Sequence, residues 1–80
     1  MTRHAAERLQ TRVQPRHADV AERLIERAEL YDNAAIVSPV SSGSSLVVIV
    51  RDNLPVTVMY CRQNQVTLQH LRVNQVVRLS

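Results

Sequence analysis

Three side chains near the start of the chain are spaced so that a helix would align them. His4, Arg8 and Arg12 stand four residues apart in turn, which puts them along one side of a helix. An imidazole beside two guanidiniums could hold a phosphate and move a proton. The guanidinium is planar and donates two parallel hydrogen bonds to one anion. Imidazole titrates near ~6.5 and so works in either direction close to neutral pH. A solvated charged face would show the same spacing. A second polar cluster, Arg62-Gln63-Asn64-Gln65, follows a strand-like run. The ends of strands are common places for working residues on a rigid scaffold, although an ordinary hydrophilic turn would read the same way.

Other constellations argue against chemistry. The histidines at 4, 17 and 70 form no His-x-x-x-His step and have no nearby carboxylate pair, so no metal site is expected. His17 fits the first turn of a helix, and His70 fits a surface segment. Ser41, Ser42, Ser44 and Ser45 around Gly43 resemble a flexible or anion-binding loop, and the plain loop is the stronger reading. They lack the Gly-x-x-x-x-Gly-Lys pattern of a nucleotide site, and no base can be assigned to a serine nucleophile. Cys61 is the only cysteine. A disulfide framework is therefore excluded, and a buried, inert thiol is the expectation.

The elements that would position these groups follow from periodicity. Residues 2–13 read as a first helix, capped by Thr2, with Ala5, Ala6, Leu9 and Val13 as its apolar stripe. Gln14-Pro15 ends it, and the proline suits the first turn of a second helix. That helix, about 16–31, places Val20, Ala21, Leu24, Ile25, Ala28 and Tyr31 on one face. The period then changes to that of strands. Ala34 to Ser38 is a short strand, Pro39 to Ser45 a loop, and Leu46 to Arg51 a β-branched run suited to the middle of a sheet. Asp52-Asn53-Leu54-Pro55 is a tight turn. Val56 to Arg62 alternates, with Val56, Val58 and Tyr60 on one face. A last strand runs from Leu71 or Arg72 to Leu79. The pattern is a single α+β domain over residues 1–80: two N-terminal helices, then a three- to four-stranded antiparallel sheet.

Composition narrows the functions. Eighty residues leave no room for a second domain. With no Phe or Trp and only two tyrosines, the chain lacks the aromatic platforms on which single strands stack. All ten basic residues are arginine, and the net charge is +3. A GC-rich genome would produce that bias, and so would phosphate binding. Arg3, Arg8, Arg12 and Arg16 gather at the start, while Asp19, Glu22, Glu26, Glu29 and Asp32 make the second helix acidic. Arg51, Arg62, Arg72 and Arg78 return the balance to basic. The two basic ends could converge on one polyanion. No apolar stretch resembles a signal core or a membrane span, so a cytoplasmic location and no membrane partner are expected.

The opening Thr2-Arg3-His4-Ala5-Ala6-Glu7-Arg8-Leu9-Gln10-Thr11-Arg12-Val13 resembles the His-Ala-x-x-Arg-x-x-x-Arg start of small phage and bacterial domains of unknown function. Those domains are thought to share the RelE-like toxin fold. Ser44 to Arg51 followed by Pro55 to Arg62 looks like their central hairpin, and Leu71-Arg72-Val73 looks like their ending. The likeness spans nearly the whole chain on short, loose motifs. It departs at Asn53-Leu54, where a glycine would be usual, and at Tyr60-Cys61, where a basic residue would be. The resemblance implies metal-free RNA cleavage through the ribose 2′-hydroxyl, with no cofactor. His4 would transfer a proton, Arg8 and Arg62 would stabilise the pentacoordinate phosphate, and Arg12, Gln63 and Arg51 would bind RNA around them. Glu7, Tyr60 and His70 are candidates for a second proton-transfer residue. The implied partner is RNA, free or on the ribosome, with an antitoxin or host factor as a protein partner. Two other readings stand beside it. One is a non-enzymatic phage-type inhibitor or adaptor, docking through the acidic helix or a sheet edge. The other is a non-catalytic arginine-based nucleic-acid binder.

Overall fold

A computed structural model describes residues 13–79. The expected first helix, and with it His4, Arg8 and Arg12, lies outside the described residues except for Val13. Val13 is buried in the core.

The second expected helix is present. It is a 3-10 turn Pro15–His17, an α-helix α1 (Ala18–Glu26) and a closing 3-10 turn Arg27–Leu30. Gln14 is extended and the proline occupies the first turn, where its missing N–H costs no hydrogen bond. Ala21, Leu24 and Ala28 are fully buried along the stripe that the spacing predicts.

Four strands follow: β1 (Ala34–Ser41), β2 (Ser44–Arg51), β3 (Leu54–Arg62) and β4 (Gln75–Arg78). Their order is β3-β2-β1-β4. The first three form an antiparallel meander, but β4 runs parallel to β1. The sheet is therefore mixed, which corrects the expectation of a purely antiparallel one. The reason lies in the connection. β3 and β4 point the same way at opposite edges of the sheet, and parallel strands need a crossover of roughly a dozen residues or more. Residues 63–74 supply it, through a 3-10 turn Gln63–Gln65 and a short helix α2 (Leu68–Leu71). Residues 71–74 therefore belong to the crossover, and the last strand starts at Gln75.

The crossover explains why β2 is apolar on both sides. Ile36, Leu46, Val48, Val50 and Val58 pack with α1 on one face. Ala35, Val37, Val47, Ile49 and Cys61 pack with Val66, Leu71 and Val73 of the crossover on the other. A strand covered on both faces reads as a continuous run, not an alternation. At roughly 25 cal/mol per Å² of buried apolar surface, these two thin layers are the main source of stability.

Two strand boundaries also differ from expectation. The serine-rich loop contracts to a turn at Ser42-Gly43, with Pro39 inside β1. Proline is tolerated there because β4 pairs only with Ala34 to Val37, so no strand on that side needs its N–H. Gly43 has φ +78°, where glycine has no steric penalty. At β3, Pro55 pairs with Val50 while Thr57 pairs with Ile49. Val56 is the extra residue of a bulge. Pro55 thus takes the buried place beside Val50, and Val56 is exposed. No helix of the described residues is long and apolar enough to cross a membrane.

Candidate functional site

The two ends of the sheet are built differently. At one end lies the β2–β3 turn, Asp52-Asn53, with both residues at positive φ (54° and 63°). Asn and Asp reach this region more readily than other non-glycine residues, so the hairpin does without the glycine the resemblance would expect. The turn is tied to the end of the helical segment. The Asn53 side-chain amide donates to the carbonyls of Tyr31 (2.7 Å) and Glu29 (3.3 Å), and the Asp52 N–H donates to Asp32 Oδ1 (2.7 Å). Arg51 belongs to this end, where its guanidinium donates to the Arg72 carbonyl at 3.1 Å. Arg72 itself terminates α2 in the left-handed region (φ 56°).

The other end contains the Ser42-Gly43 turn and the end of β3. Arg62 is the last residue of β3, pairs with Ser44 and is exposed. Gln63 follows, with its backbone N–H donating to the Gly43 carbonyl at 2.9 Å. Arg51 lies seven positions along β2 from Ser44, the partner of Arg62, roughly 23 Å at ~3.3 Å per residue. Arg62 and Gln63 are therefore brought together, and Arg51 stands apart from them. One phosphate cannot be shared between Arg51 and Arg62.

Beside Arg62 lies a pair that sequence reasoning missed. Tyr60, two residues back, shares the helix-facing side of β3 by strand alternation. Its hydroxyl lies 2.7 Å from His17 Nδ1 and accepts from the Gln14 N–H at 3.1 Å. The two rings are 5.6 Å apart and tilted by 54°. His17 is buried while Tyr60 keeps 37% of its surface exposed. Which of the two donates depends on the imidazole tautomer, and the bond ties a buried ring to a hydroxyl at the surface. The signal available in the sequence was weak. His17 and Tyr60 are 43 residues apart, and only the pairing of elements joins them. His70 is exposed on α2, where its N–H is capped by Thr67 Oγ1 at 3.1 Å.

On the opposite face at this same end, a cleft of about 320 Å³ opens between Val37, Pro39, Ser45, Gln63, Arg78 and Leu79. It lies where β1 extends past the end of β4. Arg78 forms one wall and donates from Nη2 to the Val66 carbonyl at 2.8 Å, which fixes its guanidinium against the crossover. Cys61 is buried, and desolvation pushes its thiol above the ordinary value near 9.0. Among the described residues, no three His, Cys, Asp or Glu side chains gather to hold a metal ion. No protein-family model, curated protein or solved structure matches the chain.

Proposed function

We propose that this chain is a small RNA-directed domain of RelE-like type that cleaves RNA without a metal ion. The observation that carries the reading is the His17–Tyr60 pair next to Arg62 on one face of β3. In such a reaction the ribose 2′-oxygen attacks the adjacent phosphorus as its proton leaves to a base. The bond from phosphorus to the 5′-oxygen breaks as that oxygen takes a proton from an acid. The products are a cyclic phosphate and a free 5′-hydroxyl, and no oxidant or cofactor enters. Tyr60, coupled to His17, is the proton-transfer group on the β3 side, and His4 is its counterpart from the opening segment. Arg62 and Arg8 neutralise the charge that builds on the phosphate, with Arg12 and Gln63 binding the flanking strand. A positioned acid or base contributes ~10²–10⁴-fold, and an aimed cation a comparable factor.

The test is cleavage of free and ribosome-bound RNA in excess EDTA by the wild type, Tyr60→Phe, Arg62→Ala, His4→Ala and Arg8→Ala. Cleavage should survive EDTA, and Arg62→Ala should lose roughly 10²-fold. Failure of the folded wild type to cleave either RNA rejects the enzyme.

One observation favours the second reading, a non-enzymatic inhibitor or adaptor. β3 is a nine-residue edge strand with Leu54, Val56 and Met59 exposed. A long apolar edge is a template for pairing with another chain. Met59→Lys should then abolish capture of a protein partner and leave RNA binding intact.

A further inference from the structure

The cleft at the Ser42-Gly43 end has a shape and a lining that the phosphate chemistry on the other face does not require. It arises from a mismatch in strand length. β1 continues to Ser41, but β4 accompanies it only as far as Val37. Beyond that point the side of Pro39 has no strand to cover it. The crossover, starting at Gln63, closes the opposite wall.

The lining divides into two chemistries. Val37, Pro39 and Leu79 provide apolar surface, and Ser45, Gln63 and Arg78 provide hydrogen-bonding groups. Ser45 is itself 2% exposed, so its hydroxyl belongs to the built interior of the protein and not to a loose surface. Among the described residues, no acidic side chain lines the cleft. A ligand suited to it has flat apolar faces, a polar edge and no need of a cationic group. The volume of about 320 Å³ stands at the low end of ligand pockets, which run ~300–1,000 Å³. It has room for one small planar group and not for a dinucleotide.

We propose that this cleft receives one nucleobase, either unstacked from a single strand or carried by a free mononucleotide. The source in RNA rests on the function proposed above; the base site does not. Pro39, with the parts of Val37 and Leu79 that reach the cleft, takes one face of the ring. Gln63 and Arg78 read its edge, as amide and guanidinium groups do with purines. Arg78 is held for this by its bond to the Val66 carbonyl, which uses one of the five N–H donors of a guanidinium. The site also answers a deficiency of composition. With only Tyr31 and Tyr60 as aromatic residues, the chain cannot stack successive bases on rings, and a concave apolar wall is another way to hold one. A strand crossing this end of the sheet would pass Ser42 and Gly43, which are small, between the cleft and Arg62.

The experiment is an amide-resolved NMR titration of the full chain. The probes are the four nucleoside monophosphates, ribose 5-phosphate, inorganic phosphate and a five-nucleotide single-stranded RNA. Nucleoside monophosphates should shift Val37, Ser45, Gln63, Arg78 and Leu79, while ribose 5-phosphate and phosphate leave them in place. Gln63→Ala, at an exposed position, should weaken that binding roughly tenfold. Arg78→Lys should do the same while keeping the charge. Equal shifts with phosphate or ribose 5-phosphate would make the cleft an anion site and overturn the proposal. So would RNA binding that leaves these residues unmoved, although the RNA reading would survive. Mononucleotide binding in a protein that ignores RNA would support the cleft and remove the RNA reading instead.

Discussion

The two ends of the sheet teach different things about the molecule. At the Asp52-Asn53 end the backbone turns through two left-handed residues, and side-chain hydrogen bonds fasten the turn to the helix terminus. The residues here include Glu29, Asp32 and Asp52, and Arg51 is engaged with a backbone carbonyl. At the Ser42-Gly43 end the turn is made of small residues, a cleft stays open with Arg78 in its lining and no acidic side chain among the described residues there, and Arg62 is exposed on the other face. One end holds the fold together, and the other leaves polar groups available. This division is the pattern expected when a rigid scaffold presents a site at one rim.

The division can be broken from either side. The largest effect on stability is expected at the fastened end. Asn53→Ala removes two side-chain hydrogen bonds and places alanine at φ 63°. Chemical denaturation should show a loss of about 2 kcal/mol, with RNA binding unchanged once the protein is folded. If the variant is as stable as the wild type, the turn does not fasten that end.

Arg51→Ala should cost less, about 1 kcal/mol, because it deletes one exposed hydrogen bond to the Arg72 carbonyl. Its affinity for RNA, measured by anisotropy, should fall less than that of Arg62→Ala. Equal losses would mean that the two ends act on one strand together.

Cys61 gives a smaller effect with a definite sign. Burial raises its pKa in the folded chain, so the folded state keeps the thiol proton to higher pH than the unfolded state. Its contribution is complete below the ordinary value near 9.0 and declines as the pH rises through the folded one. Denaturation between pH 8 and 10 should show this decline in the wild type and a shallower one in Cys61→Ala. Labelling by a thiol reagent should be slow until the protein unfolds.

The smallest effect is at Asn33. It has φ 47°, and its side-chain oxygen is buried without a partner. Asn33→Gly keeps access to that backbone conformation and removes the unpaired atom. Thermal melting should place it within about 1 kcal/mol of the wild type, unlike Asn53→Ala at the same end.

Much of the scaffold could be read from local pattern. The apolar stripe of α1 and the run in β2 predicted their burial, because each depends on the period of its own element. The parallel β4 could not be read in this way. Its direction is set by the crossover, and α2 is only four residues long, too short for periodicity to register. Pro39 argued for a loop because its tolerance depends on where a different strand ends. The bulge at Val56 moved Pro55 into the core for a similar reason, since alternation presumes an unbroken pairing. The candidate site was legible in part. Arg62 and Gln63 were singled out by their place at a strand end, but His17–Tyr60 and the cleft each join residues far apart in the chain. Only the assembled sheet brings them together.

The most direct test of the account is RNA cleavage in excess EDTA by Arg62→Ala and Arg51→Ala, compared with the wild type at matched folded concentration. The account predicts that Arg62→Ala loses roughly 10²-fold and that Arg51→Ala retains activity within a few-fold. Equal activity of the two variants, or a wild type that cleaves nothing, would contradict it.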